Sequence, residues 1–364
     1  NTSGGAITAN LPAGVAGAIV SFADYAATWQ TSAVTVTPNG TDKIGSTNAS
    51  ATLNTQGQSV TFVFVDSTQG WINTMDSTSN VRGVPPFIQA TGGTITTVDT
   101  NFKVHTFTGP GTFTVTNAGE PGGSNTVSYM VIAGGGGAGY YYGAAGGAGG
   151  FRESKAATDT YTASPLNATS GPTYNLPVSA QGYPIVIGAG GNAMPSGGSP
   201  GAGGTGSDSS FSSITSTGGG GGSGGSGADY NGSTGGSGGG GGGTNPGGNG
   251  GAGNTPPVSP PQGNPGEPAG NRGGAGGGAI EAGGTDGTNA GGDGATTSIN
   301  GTPTAFAGGG GGSNPGQPGG DGGGGSAAPG SGQPGTANTG GGQGGCASTG
   351  GGGSGIVIIR YKFQ

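Results

Sequence analysis

The chain has 364 residues but only one cysteine, one histidine and 6% charged residues. Cys346 alone excludes an intramolecular disulfide and any cysteine-built metal cluster. His105 has no second His or Cys partner, so no transition-metal site and no cofactor are expected. Eight Lys+Arg against fifteen Asp+Glu leave a net charge of −7. A nucleic-acid binder needs a basic patch, and the sequence has none, so no nucleic-acid partner is expected. No run of 18 apolar residues occurs, which excludes a membrane-spanning helix. Only 29% of residues are hydrophobic, poor material for a large oily core. The low charge equally argues against a solvated, disordered polyampholyte. The chain starts at Asn1 without the charged and apolar regions of a signal peptide, so it reads as a fragment or a processed chain.

What the chain does have is glycine. Of its 99 glycines, 16 lie in residues 1–133 and 83 in the last 231. Ordinary chains carry about 7% Gly. The tract, roughly Gly134 to Gly355, allows three readings. Collagen needs Gly at every third position, and runs such as Gly238–Gly243 and Gly308–Gly312 lack that register. A flexible Gly/Ser linker is the bland reading by composition. Against it stand the even punctuation of the runs, the recurrent Gly-Gly-X pattern (Gly247-Gly248-Asn249-Gly250-Gly251-Ala252) and the closing strand signal Ile356-Val357-Ile358-Ile359-Arg360-Tyr361. The third reading is a bundle of polyglycine II helices, with three residues per turn and about 3.1 Å rise as in polyproline II. Such helices have no internal hydrogen bonds, so their amides must find neighbours. Only Gly lets backbones approach closely enough. This reading is the favoured one.

Residues 1–84 show strand signals every 8–12 residues, the mark of a small antiparallel β module. Ala18–Phe22 is a short apolar run. Val34–Thr37, the turn Pro38-Asn39-Gly40 and Thr41–Ile44 read as strand, turn, strand. Ala51–Thr55 alternates, and Ser59–Asp66 is the best strand in the chain. A unit this small is marginal alone, and packing against identical copies would help it. Residues 85–133 read as a linker and a β platform, with strands at Thr94–Val98, Phe102–Phe107, Thr112–Thr116 and Thr126–Ala133. Residues 134–364 form the glycine-rich part, closed by a strand at 356–363.

Two stretches carry a resemblance. The arrangement Asp24-Tyr25-x-x-Thr28-Trp29, Val36-Thr37-Pro38-Asn39-Gly40, Lys43-Ile44-Gly45 and Val65-Asp66-x-Thr68-Gln69-Gly70-Trp71 resembles a small β module of marine bacteriophage tail fibres, cyanophages especially. From residue 93 on, the strand before the first Gly run, Gly149-Gly150-Phe151-Arg152, Ile185-Val186-Ile187-Gly188-Ala189-Gly190-Gly191 and the closing Ile356–Tyr361 resemble the glycine-rich domain at the distal end of many phage tail fibres. The resemblance implies a homotrimer joined to an upstream tail-fibre or baseplate protein, located in the virion. It also implies stacked polyglycine II helices, as in related adhesins of T-even-like phages, with tip loops that select a bacterial outer-surface receptor, a glycan or an outer-membrane protein.

The insertions between Gly runs sort into two sets. The apolar ones, Phe151–Glu153, Tyr183–Ile187, Phe211–Ile214, Thr304–Phe306 and the last strand, should sit on the platform. Alternation then places Tyr140–Gly143, Asn192–Pro200, Ala228–Thr234, Asn254–Arg272, Ser313–Pro318 and Cys346–Thr349 at one tip. One miscounted run, most easily around 244–294, reverses everything after it. The candidate receptor-contacting residues are Tyr140, Tyr141, Tyr142, Asn192, Tyr230, Asn231, Asn254, Pro256, Pro257 and Asn314. Tyrosine gives a large amphipathic contact at low entropy cost, and Asn gives adaptable hydrogen bonds. The bland alternative is that the tyrosines pack on their own loops and that the Pro-rich stretch is a solvated excursion.

Catalytic signals are weak. His105 reads as a half-buried strand residue. Asp286 and Asp293 lack the repeated nonapeptide of calcium-binding arrays. Gly-x-Gly-x-x-Gly matches arise by chance in such a tract and lie in no βαβ unit. The leading expectation is therefore a non-enzymatic adhesin. A structural, decoration or surface-filament subunit with the tract as a rigid spacer comes second, and a glycan depolymerase third.

Overall fold

The computed structural model describes residues 1–77, 87–119, 123–195, 201–225, 230–243, 246–313, 317–328, 332–346 and 349–364. Residues 85 and 86, where the expected linker begins, lie outside them. Among the described residues there is no helix, and every regular element is a β-strand. The chain divides into two compact units, Asn1–Val84 and Pro85–Gln364.

The first unit holds β1 (Ile7–Asn10), β2 (Ile19–Ala23), β3 (Val34–Thr37), β4 (Ala51–Leu53), β5 (Ser59–Asp66) and β6 (Gly70–Ser77). They form two three-stranded sheets, β1-β3-β4 and β2-β5-β6. Alternation decides the facing: Val60, Phe62 and Phe64 of β5 point inward to Trp29, Val36, Leu53 and Trp71. The module is not purely antiparallel, because β1 pairs in parallel with β3. The intervening β2 belongs to the other sheet, and this crossover supplies the long connection a parallel pair requires. Nor does Thr41–Ile44 return as a hairpin strand; β4 takes the place beside β3. Leu53 brings an apolar partner to Val34, whereas Ile44 makes only isolated bridges to Thr47 and Trp71.

The second unit begins with β7 (Gln89–Thr91), β8 (Thr94–Val98), β9 (Phe102–Phe107), β10 (Gly111–Asn117) and β11 (Thr126–Ile132). It continues with β12 (Phe151–Ser154), β13 (Leu176–Pro177), β14 (Gly182–Val186), β15 (Ser209–Phe211) and β16 (Ile214–Ser216). It ends with β17 (Ala295–Thr297), β18 (Thr304–Phe306) and β19 (Ile356–Lys362). One sheet runs β12-β11-β19-β9-β8, with β13 also paired to β11; another runs β16-β15-β14-β10-β7. Phe113, Tyr183, Ile185 and Phe211 of the second sheet pack on Tyr129, Val131, Val357 and Ile359 of the first. The opposite face of β11 and β19 carries Met130, Ile132, Ile356 and Ile358, covered by Phe151, Tyr161, Ile299 and Phe306. The first sheet is thus buried on both faces at β11 and β19, which read as continuous apolar runs, while its edge strand β8 stays exposed.

Arg360 interrupts that run and is nevertheless fully buried. Its Nε lies 2.9 Å from Asp159 Oδ1 and its Nη2 lies 2.8 Å from Asp99 Oδ2. Its guanidinium also lies 4.4 Å from the Phe102 ring centre. A buried charge needs this pairing.

The glycine runs are cross-linked through their backbones. Gly134 and Gly137 donate to Ser207 and Gly204 of one neighbouring run, Gly136 and Gly139 to Gly147 and Ala144 of a second. Gly146 and Gly149 donate to Gln343 and Gly340, Gly147 and Gly150 to Gly220 and Thr217. Each neighbour is met at every third residue. A Cβ built on Gly135, Gly136 or Gly146 would stand 2.0–2.1 Å from a carbonyl oxygen of another segment. The runs therefore lie closer than any side chain permits.

Candidate functional site

The turn at Tyr140–Tyr142 ends the first run, and Gly139 N–H closes it on Ala144 O at 3.0 Å. Tyr141 and Tyr142 both have left-handed backbones, with φ of 58° and 50°. That conformation is uncommon for a bulky residue. Gly225 N–H donates to Tyr141 O at 2.8 Å, and Ser313 Oγ donates to Tyr142 O at 3.4 Å. The two rings stand edge to face at 5.1 Å and are 53% and 46% exposed. The rings thus pack on each other within their own loop while about half of each stays exposed. Tyr140 is half-buried, and its N–H donates to Gly201 O at 3.3 Å.

Other run ends converge here. Arg272 is exposed, with its guanidinium 5.9 Å from the Tyr142 ring centre and Nη1 3.5 Å from Ser313 O. Gly273 N–H donates to Ser313 Oγ at 2.7 Å. Cys346 N–H donates to Gly143 O at 3.1 Å. Burial pushes the Cys346 thiol above its ordinary range, against the Ser313 contact and the Arg272 charge. One end of the glycine bundle thus gathers Tyr140–Tyr142, Gly201, Gly225, Arg272, Ser313 and Cys346. Next to Arg272 lies a depression of about 250 Å³ lined by Glu267, Gly270, Asn271, Thr288 and Asn289.

Two further candidates lie toward the same end: Tyr230 is bonded to Gly242, whose neighbour Gly243 lies against Arg272, and Asn192 precedes Met194, whose N–H donates to Ala138 O at 3.0 Å. Asn192 is exposed, and its carbonyl accepts Gly204 N–H at 2.9 Å. Tyr230 is half-buried, its carbonyl accepting Gly242 N–H at 2.7 Å, and Asn231 Oδ1 accepts Asn249 N–H at 2.8 Å. Asn314 lies outside the described residues.

Asn254, Pro256 and Pro257 belong to the opposite end, a correction to the alternation of loops. Asn254 N–H donates to Gly236 O at 2.8 Å, and its Oδ1 accepts the N–H groups of Val258 and Gln262. Gln262 in turn takes the N–H groups of Phe151 and Thr217 beside the platform strands. The physical reason is two uncounted crossings. Gly232 and Gly235 N–H groups donate to Asn249 O and Ala252 O, so 231–235 is a run that leads away from the tyrosine end and leaves Asn254 at the other. Gly266 N–H donates to Gly251 O and Ala269 N–H to Gly248 O, so 263–269 is a second run, which brings Arg272 back. Asn-Pro-Gly-Glu-Pro at 264–268 hides that run, because non-Gly residues occupy it.

His105 is fully buried rather than half-buried. Nδ1 donates to Gly92 O at 2.7 Å, which leaves neutral Nε2 to accept from the Tyr361 hydroxyl at 3.1 Å. Burial holds its pKa below the usual histidine value, with the Gly92 contact opposing and Lys103 adding to the depression. Burial likewise pushes Tyr361 up to about 12. The pair has no nucleophile beside it and serves the core between the sheets. Among the described residues one acidic cluster brings carboxylates together: Glu281, Asp286 and Asp293, within 4.8 Å. Burial raises the Glu281 pKa; the Asp293 N–H opposes this, and the charges of Asp286 and Asp293 add to it.

No curated protein is significantly similar to the chain. Residues 106–362, more than half of the chain, match the family model described as a glycine-rich domain, and the chain belongs to that family.

Proposed function

We propose that the chain is a phage tail-fibre adhesin that attaches a virion to a bacterial surface through the tyrosine end of its glycine bundle. The observation that carries this reading is the exposed Tyr141–Tyr142 pair on two consecutive left-handed residues. Strain of about 1–3 kcal/mol per such residue persists only where the surroundings enforce it, and it gathers at functional sites. Here the enforcement comes from neighbouring runs, through Gly225 and Ser313. The runs are polyglycine II helices in this reading, supported by the bonding period of three and by carbonyls too close for any Cβ. A rigid bundle presents its end loops at fixed spacing, which lowers the ordering cost of binding.

The first unit joins the upstream fibre and trimerises. Support comes from the outer face of the β2-β5-β6 sheet, where Ile19 pairs with Val63 and Val63 with Ile72, and Thr61 pairs with Met75. Ile19 and Met75 are 66% and 67% exposed, and Val15 is 69% exposed. Three copies would multiply weak contacts into avidity.

Adsorption of the labelled, purified chain to candidate host cells tests the reading. Saturable binding is expected, abolished by the double substitution Tyr141→Ser, Tyr142→Ser and unchanged by Pro256→Ser, Pro257→Ser at the other end. Binding that survives the tyrosine substitutions moves the contact elsewhere. Failure to bind any cell that the parent particle adsorbs leaves the rigid-spacer subunit as the better reading.

A further inference from the structure

We propose that the depression beside Arg272 is a saccharide subsite selective for sugars bearing an acid group. The inference rests on the adhesin reading and assigns its ligand class. Arg272 is exposed in a chain whose net charge is −7. The ion pairs among the described residues are those of Arg360, so no described carboxylate neutralises Arg272. Among the described residues its side chain makes weak contacts with the Ser313 carbonyl and the Tyr142 face.

The inner wall has the opposite polarity. Glu267 accepts Ala275 N–H at 3.0 Å and Asn289 N–H at 3.1 and 3.0 Å through its two oxygens. Those bonds fix the carboxylate while leaving acceptor capacity toward the depression. Asn271 and Thr288 add polar side chains, and Gly270 leaves one flank open, with nothing within 4 Å of where its Cβ would be.

This polarity sorts ligands. A bare inorganic anion would meet Glu267 as well as Arg272, so attraction and repulsion oppose each other. A neutral sugar would leave the guanidinium unused. An acidic pyranose satisfies both: its carboxylate takes the guanidinium in charge-assisted bonds, and its hydroxyls donate to Glu267. The Tyr142 ring, 5.9 Å from the Arg272 guanidinium, offers an apolar face with a polar edge next to it. At about 250 Å³ the depression is smaller than the roughly 300–1,000 Å³ of drug-sized sites. It suits one unit of a longer chain, with affinity raised by repetition.

The test uses the full chain on a printed panel of acidic, methyl-esterified and neutral saccharides, including polygalacturonate and its methyl ester. At least one acidic member should bind, and its ester should bind about tenfold more weakly, as expected for loss of a charged hydrogen bond. Arg272→Gln should lose the same factor, Arg272→Lys should lie between, and inorganic phosphate at matched ionic strength should not compete. Equal binding of acid and ester, binding of no acidic member, retention by Arg272→Gln, or competition by phosphate would each overturn the proposal. Cell adsorption separates this from the reading it rests on. Adsorption that needs Tyr142, ignores Arg272→Gln, and is abolished by protease rather than periodate leaves an adhesin with a protein receptor and removes the acidic-sugar subsite. Absence of both adsorption and saccharide binding removes both.

Discussion

In the first unit the interior is made of Trp29, Val36, Phe62, Phe64 and Trp71. In the glycine runs the interior is chiefly backbone: buried side chains there are mostly small, among them Ala138, Ala144, Ala145, Ala148, Ala275, Ser223 and Ser237. The same chain therefore uses two kinds of cohesion. The first removes apolar area from water, at about 25 cal/mol per Å². The second joins N–H to C=O between neighbouring runs, at about 0.5–1.5 kcal/mol net per bond. Such bonds must be numerous, because each Gly gives up more backbone freedom than other residues on ordering. The comparison teaches that a side chain is the asset of one region and the hazard of the other.

The largest expected effect comes from deleting a side chain where side chains hold. Trp71 is fully buried and stands edge to face with Phe64 at 5.5 Å. Trp71→Ala should cost the first unit about 3–5 kcal/mol in denaturant unfolding. Ala148→Gly in the bundle, also at a fully buried position, should cost about 1–2 kcal/mol, from one lost methyl and a freer unfolded backbone. Comparable losses at the two sites would break the contrast.

Next comes the reverse operation, adding a side chain where backbones touch. A Cβ on Gly136 would stand 2.1 Å from the Gly220 carbonyl oxygen, with no flexible side chain to yield. Gly136→Ala should therefore cost about 3 kcal/mol, the upper end of ordinary overpacking. Gly270→Ala, with open space around it, should stay within about 0.5 kcal/mol. Differential scanning calorimetry of the two variants reads this directly. Equal melting temperatures would mean that close backbone approach is not what holds the bundle.

The two regions were also unequally legible in the sequence. Alternation and apolar runs are properties of side chains, so Ser59–Asp66, Phe102–Phe107 and the strand before Gly134 could be read where they stand. Pairing was less legible. The parallel β1–β3 match and the displacement of Thr41–Ile44 by Ala51–Leu53 depend on partners distant in sequence. The strand Gly70–Ser77 carries few apolar residues and offers little alternation to read. Arg360 breaks an apolar run, yet Asp159 and Asp99, far away in sequence, make its burial possible. In the tract, runs were recognised by glycine alone. Two crossings that hold non-Gly residues escape such a reading: 231–235, with Asn231, Ser233 and Thr234, and 263–269, with Asn264, Pro265, Glu267 and Pro268. The first carries Asn254 to the wrong end, and the second returns Arg272 to the end of Tyr140–Tyr142.

The smallest expected effect separates the regions by acid. His105, between the two sheets of the second unit, has a pKa lowered chiefly by burial. The unfolded chain then binds the proton more readily than the folded one. Its contribution is complete above the unfolded value of about 6.5 and is lost as pH falls toward the folded value. Asp24 in the first unit also has a lowered pKa: burial alone would raise it, and the N–H groups of Gly57, Thr28, Trp29 and Ala27 outweigh that. Its contribution is complete above about 3.9 and is lost only below that. Acidification from pH 7 to 5 should therefore weaken the second unit first, and His105→Gln should flatten that slope while leaving the loss below pH 4 in place. Thermal unfolding across pH 7 to 3, with His105→Gln and Asp24→Asn beside the native chain, measures both. A decline between pH 7 and 5 that persists in His105→Gln would assign it to another group and remove this distinction between the units.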